Sequence, residues 1–410
     1  MKNSIYNILC VIFALFIFNF SLLIPYCMCQ WVQVSNGIGN LYVSSLAYSG
    51  NNIFAGIGPE YYTGVYISTN NGSTWTQTSI SNQSVYSLAV NGNSVFAGTL
   101  FYGVFLSTNN GTNWTQTLSN QYVLSLAVNG NYVFAGTYYY GVFLSTNNGT
   151  NWTQTSLIND VYSLAVNGNY VFAGTDQNGV FLSTNNGTNW TQTSLTNQRV
   201  FSLAVNGNYV FAGTYQNGVF LSTNNGTNWT QTSLNFQSVY ALAVNGINIL
   251  AGTSGFGVYV SYNNGTNWAQ RNEGLGNHGV GSFCILNNYI FAGTFNGGVY
   301  RRPLGELVAI QPISSEIPNG FSLSQNYPNP FNPVTNLEFG ISSAAGGLRF
   351  VSLIVYNMLG VEVATLVNDN LNPGTYKYNF DASALTSGVY FYKLVVNGNI
   401  IDTKRMVLLK

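Results

Sequence analysis

Few residues of this sequence are equipped for chemistry. Between positions 31 and 300 the charged side chains are Glu60, Asp160, Asp176, Arg199, Arg271 and Glu273, and the single histidine is His278. Asp160 and Asp176 fall in one stretch of chain. A carboxylate pair flanking a sugar ring is the machinery of glycoside hydrolysis, and the separation of the two groups sets the stereochemistry. A Ser-His-Asp set would have to run through His278, and no G-x-S-x-G elbow is present. One histidine and four cysteines (Cys10, Cys27, Cys29 and Cys284) cannot build a His- or Cys-rich metal centre. No cofactor is expected.

The composition narrows the partners. The 410 residues carry a formal net charge of zero, with 5% charged, 46% apolar and 15% aromatic. Disorder combines low hydrophobicity with high charge, the opposite of this balance. A rigid β-structure made polar by Asn, Ser, Thr, Gln and Gly fits better. Without a basic patch to displace counterions, nucleic acid is not an expected partner.

Lys2 and the apolar run from Ile8 to Ile24, interrupted by Asn19 and Ser21, read as a signal peptide over residues 1–29. Cleavage after Cys29 is expected, leaving no transmembrane span. Tyr26 and Met28 stand where a lipoprotein would want small residues. Only Cys284 then remains, so no intrachain disulfide is expected, and that thiol reads as a small buried apolar residue.

Internal repeats place the acids. Trp75, Trp114, Trp152, Trp190, Trp229 and Trp268 recur every 38 or 39 residues. The unit that starts at Val161 reads VYSLAV, YVFAGT, GVFLST and NWTQTS, four short β-patterned runs bounded by Gly and Asn. The Asn-Gly after the first run predicts a type I′ hairpin. Four antiparallel strands per repeat of about 40 residues predict a propeller blade. FAG motifs at Phe54, Phe96, Phe134, Phe172, Phe211 and Phe291, with LAG at Leu250, count seven blades. The seventh lacks its Trp-bearing strand, and Trp31 to Val34 is expected to supply it. The prediction is an all-β chain: a seven-bladed propeller of four-stranded blades over residues 30–302, closed by its N-terminal strand. A linker over 303–319 and a small C-terminal β-sandwich over 320–410 follow.

In such blades Asp160, in the link between blades, and Asp176, between second and third strands, emerge on one face. That face also collects the positions at which near-identical repeats differ. The second-to-third-strand turns place Tyr61, Tyr62, Phe101, Tyr102, Tyr139, Tyr140, Asp176, Gln177, Tyr215, Gln216, Phe256 and Phe295 on one rim. Aromatics beside amides form a platform for a neutral glycan or a protein. Drift at tolerant turns is the bland alternative.

The turn between third and fourth strands reads STNNGSTW at Ser68. It becomes STNNGTNW at Ser107, Ser145, Ser183 and Ser222, and SYNNGTNW at Ser261. It resembles the Asp-box of BNR-type propellers, S-x-D-x-G-x-x-W, found in sialidases, sortilin-like receptors and photosystem assembly factors. Asn70, Asn109, Asn147, Asn185, Asn224 and Asn263 stand in place of Asp, and an Asn oxygen can still accept turn N–H bonds. The resemblance implies a structural role for the box. Sialidase activity is not carried over, because two arginines in different repeats cannot form the required cluster. Some Asp-box xyloglucanases use two aspartates, but from different parts of a double propeller.

From Asn326-Tyr327-Pro328-Asn329-Pro330-Phe331-Asn332-Pro333, through Tyr356 to Gly360, Gly374-Thr375-Tyr376 and Leu385 to Tyr392, to Lys404-Arg405, the tail resembles the type A sorting domain of type IX secretion. The resemblance implies a β-sandwich recognised by an outer-membrane translocon and then usually removed, with the cargo often attached to surface lipopolysaccharide. Residues 301–410 hold fifteen charged residues against six in 31–300, a shift that marks the boundary. The expectation is therefore a monomeric, exported, non-catalytic binding propeller, secreted or displayed on the cell surface. A hydrolase using Asp160 and Asp176, or an envelope protein without a discrete ligand, is the alternative.

Overall fold

The computed structural model describes residues 30–410 apart from 59–61, 277, 305–306, 308–309, 315–316, 343–348, 372 and 384. Residues 1–29, read above as a signal peptide, and Glu60 and Tyr61 lie outside the described residues. The chain forms two compact units that divide between Pro312 and Ile313.

The first unit is the expected propeller. Six four-stranded antiparallel sheets follow chain order, and the seventh is completed by Val32–Gln33 beside Val299–Pro303. The first strand of each blade lies against that of the next, from Val43–Ser49 round to Val280–Leu286 and back. Trp31 locks the closure. It is 1% exposed, its backbone N–H donates to Glu273 O at 2.7 Å, and its indole N–H donates to Arg271 O at 2.8 Å.

The repeated residues have local causes. Gly174 of the FAG motif sits where a Cβ would lie 2.6 Å from Val200 Cγ1 of the next blade, and Gly213 faces Val239 in the same way at 2.7 Å. Glycine is required by the close approach of blades rather than by backbone angle. In the blade 4 box, Ser183 Oγ donates to Asn185 Oδ1 (2.9 Å), which also accepts the Asn189 N–H (2.9 Å). Gly187 N–H donates to Ser183 Oγ (2.9 Å), and the Trp190 indole donates to Gly187 O (3.1 Å). The Asn oxygen thus does the work expected of the turn acceptor.

The first hairpins correct the expected turn type. Asn91 pairs with Ser94, so the two-residue loop is Gly92-Asn93, and only Gly92 has positive φ (+59°). That is the sign pattern of a type II′ turn, not I′. The Asn stays in the strand because its side chain bridges blades: Asn91 Nδ2 donates to Gly130 O at 2.8 Å. Blade 7, with Asn287 (+50°) and Asn288 (+61°) at the loop, keeps the type I′ signs.

A bulge recurs near the start of every first strand, where the register skips Ser44, Tyr86, Leu124, Tyr162, Phe201, Tyr240 and Gly281. Bulges bend a strand and re-aim the extra side chain. Here they sit beside the axis at the end of the blade where the second-to-third-strand turns emerge.

The C-terminal unit has two four-stranded sheets, and Ile313 and Ser314, from the stretch expected to be linker, already belong to an edge strand of one of them. The long strands Val334–Ile341, Arg349–Asn357, Gly388–Val396 and Asn399–Leu408 bury Leu337, Leu353, Leu394 and Met406 completely. Tyr392 is also fully buried. Its hydroxyl accepts the Asn326 N–H and donates to Ser324 O, both at 2.7 Å, so it pins the start of one sheet to the other. Burial pushes its pKa up to about 12.

Candidate binding face

The turns between second and third strands are built alike. A Thr hydroxyl bonds the Gly carbonyl that ends the turn, as Thr137 does to Gly141 (2.8 Å). The outer-strand Gln amide donates to the carbonyl just before that Gly: Gln116 to Tyr102 O (2.6 Å), Gln154 to Tyr140 O (2.8 Å) and Gln270 to Phe256 O (2.7 Å). With both ends tied, the middle residues are presented outward. Tyr62, Phe101, Tyr102, Tyr139, Tyr140, Tyr215 and Phe256 are all exposed, Tyr139 most of all at 62%. Gln177 and Gln216 are exposed as well.

Phe295 departs from the expected rim. Its ring turns inward over Gly279 and Gly281, which offer no side chain, and stacks on Tyr42 with centroids 4.9 Å apart. It fills in blade 7 the axial place that the bulged residue fills elsewhere.

Beneath the rim lies a collar of rings that the repeat differences did not reveal. Phe101 meets Tyr122 (4.8 Å), Tyr122 meets Tyr139 (5.9 Å), Tyr139 meets Tyr138 (4.2 Å) and Tyr138 meets Tyr162 (6.2 Å). The chain continues through Phe201 (5.5 Å), Tyr240 (4.4 Å, stacked) and Phe295 (5.3 Å) to Tyr42. Most of these contacts are edge-to-face, the arrangement favoured by the ring quadrupole. An aromatic at the second position of VYSLAV, present as Tyr86, Tyr162, Phe201 and Tyr240, was the available signal. Strand alternation concealed it, because a bulge breaks the alternation.

The two aspartates lie on this face, each with a partner. Asp160 Oδ1 accepts the N–H of Tyr139 (2.7 Å) and so holds the blade 3 turn, in which Tyr139 keeps a φ of +83°. Ser238 Oγ does the same for Gln216 (3.0 Å) at the interface between blades 5 and 6. Between blades 4 and 5 the corresponding residue is Arg199, which cannot accept, and it donates instead to the Asp176 carboxylate. That hydrogen bond raises the Arg199 pKa, and its guanidinium lies 5.6 Å from the Tyr215 ring centroid. Burial, followed by the nearby Asp176, pushes Tyr162 up to about 12. His278 packs on the Tyr300 ring (5.6 Å). Among the described residues, no three His, Cys, Asp or Glu side chains cluster as metal ligands.

Residues 325–409 match the model of the secretion system C-terminal sorting domain. The chain carries a type IX sorting domain. This domain directs export to the cell surface or beyond. Its opening segment is tied to its last long strand: Phe331 N–H donates to Val407 O (2.9 Å), and Asn329 Oδ1 accepts the Val407 N–H (2.9 Å). The motif beginning at Asn326 and the terminal Lys404-Arg405 strand are therefore one structural feature of the sorting domain.

The propeller finds its likeness among solved structures. YCF48 from Cyanidioschyzon merolae superposes with a TM-score of 0.55 at 14% identity, over 68% of this chain and all of that one. YCF48 bound to D1 peptide gives 0.54 at 12%, over 67% and 96%. The GH74 xyloglucanase from Xanthomonas campestris gives 0.53 at 14%, over 76% of this chain and 59% of the enzyme. At these identities the likeness is one of fold. No curated protein matches the sequence.

Proposed function

We propose that the protein is an exported, non-catalytic binding propeller whose aromatic face engages an uncharged glycan outside the cell. In this reading residues 1–29 are the signal peptide that carries it across the inner membrane as a monomer. The run of ring contacts from Phe101 to Tyr42, with exposed rings beside it, Asp160 bonded to a turn N–H and Asp176 paired with Arg199, is the observation that carries the reading. Sugar rings present C–H faces that pack on aromatic planes, and a neutral polymer has no need of countercharge. Exposed rings on a rigid support also lose little conformational freedom on binding.

The xyloglucanase likeness and the two aspartates keep hydrolysis as the second reading. Against it, Asp160 caps a turn and Asp176 is committed to Arg199, so both have structural work. Affinity electrophoresis through gels containing xyloglucan, mannan or laminarin, with reducing-end assays on the same polymers, tests both. Retardation without new reducing ends is expected, and it should vanish when Tyr102, Tyr140 and Tyr215 become Ala. Steady release of reducing ends that Asp176→Asn abolishes would establish the hydrolase instead. Retention of a peptide library but no glycan would point to a protein ligand.

A further inference from the structure

Between blades 4 and 5 the face sinks into an open depression of about 290 Å³. Its walls carry five carboxamides, Gln177, Asn197, Gln198, Gln216 and Asn217, together with the ring of Tyr215. The equivalent turns of blades 2 and 3 present Phe101, Tyr102, Tyr139 and Tyr140 in place of amides.

The chemistry of this lining is selective. A carboxamide offers an acceptor oxygen and two donor hydrogens side by side, which matches neighbouring hydroxyls that both give and accept. The one cation at the wall, Arg199, is neutralised by Asp176, so an anionic ligand would find no spare countercharge. Two links hold the amides in place: Asn217 Nδ2 donates to Gln198 Oε1 (2.9 Å) in the connection that precedes blade 5, and Gln216 Nε2 donates to the neighbouring Tyr215 Oη (3.0 Å). Gln177, Asn197 and Gln216 hold positive φ (+62°, +55° and +59°), as turn residues of the other blades also do. The volume is at the lower end of small-ligand sites, suited to one sugar ring. Rings also connect it to the rim, since Tyr215 meets Phe201 (6.0 Å), which meets Tyr162 and then Tyr138.

We propose that this depression is the specificity subsite of the face. It takes one uncharged pyranose residue by its vicinal hydroxyls, while neighbouring residues of the same polysaccharide lie on the rings of blades 2 and 3. The inference rests on the glycan reading above and sharpens it, since rings alone recognise any pyranose face. The amides decide which one.

Calorimetric titration of the full-length protein with cello-, manno-, xylo- and laminarihexaose separates the two claims. The wild type should favour one hexasaccharide by about 10-fold or more, equivalent to about 1.4 kcal/mol. The near-isosteric double variant Gln177→Glu/Gln216→Glu should reduce that preference to within about 3-fold while keeping residual affinity. Tyr102→Ala/Tyr140→Ala should weaken all four by a similar factor. Thermal unfolding of each variant at the wild-type temperature shows that the fold is intact. A preference unchanged by the amide substitutions, or equal wild-type affinity for all four sugars, overturns the subsite and leaves the aromatic face standing. Wild-type protein that binds none of the four overturns both.

Discussion

The two ends of the propeller blades follow opposite rules. At the box end nearly every side chain is engaged, and the repeats there are nearly identical. Ser183, Asn185, Gly187 and Trp190 close one another's hydrogen bonds, and Gly187 also gives room to Phe134 of the preceding blade. At the other end the bonds that recur are those of the Thr, the Gly and the outer-strand Gln, with single added contacts such as Asp160 to the Tyr139 N–H. The residues between them vary from aromatic to amide to glycine. Constancy along this chain therefore reports architecture, and variation reports what the molecule presents.

That contrast can be broken or sharpened by substitution. The largest effect should come at the box end. Gly187 has a φ of +79°, and a Cβ there would stand 2.7 Å from Phe134 Cε1. Gly187→Ala combines overpacking with a left-handed side chain and should cost about 2–4 kcal/mol in denaturant unfolding. A loss below about 1 kcal/mol would show that the box end yields more readily than its bonding suggests. Next, Asn185→Ala strands the Ser183 hydroxyl and the Asn189 N–H, and should cost about 1–2 kcal/mol in the same measurement.

The turn end should respond weakly. Asp176→Asn removes an ion pair in which Arg199 remains about a third exposed (34%), and such pairs contribute about 0–1 kcal/mol. Unfolding in low and high salt should bring wild type and variant closer together as salt rises. Tyr139→Gly is the sharpest contrast, because it reverses the chemistry of Gly187→Ala at a similar backbone angle. Relief of the strained φ, about 1–3 kcal/mol, offsets the lost edge contacts with Tyr138 and Tyr122, about 0.5–1.5 kcal/mol each. Stability should stay within about 1 kcal/mol of wild type while glycan affinity falls.

The smallest effect is one of pH. Tyr162 is held neutral in the fold with its pKa raised to about 12, whereas an unfolded tyrosine ionises near 10. The folded pKa is the higher, so the contribution is complete below pH about 10 and lost as pH rises towards about 12. Unfolding followed over that range should show a decline that Tyr162→Phe lessens.

Much of this was legible in the residues. The Trp and FAG spacings count the blades, and the missing seventh Trp strand points to Trp31–Val34, because a propeller must hydrogen-bond its last edge. The turn variability located the exposed rings. Other features were hidden for physical reasons. The Asn-Gly hairpin was misassigned because Asn91 is held in the strand by the next blade, shifting the loop by one residue. The collar escaped because a bulge takes Tyr162 and its equivalents out of strand alternation. Phe295 was misplaced on the rim because its position depends on the two glycines beneath it. The turn-holding role of Asp160 depends on a contact between blades that no single repeat displays.

The most direct test sets one end against the other. Retention of the full-length protein by gels of xyloglucan, mannan and laminarin should be compared for two triple variants, Tyr102→Ala/Tyr140→Ala/Tyr215→Ala at the turn end and Thr112→Ala/Thr150→Ala/Thr227→Ala at the box end. The turn-end variant should run as freely as in a blank gel with its unfolding temperature unchanged, while the box-end variant keeps wild-type retardation. Equal retardation of both, or loss confined to the box-end variant, would contradict the assignment of the aromatic end as the binding face.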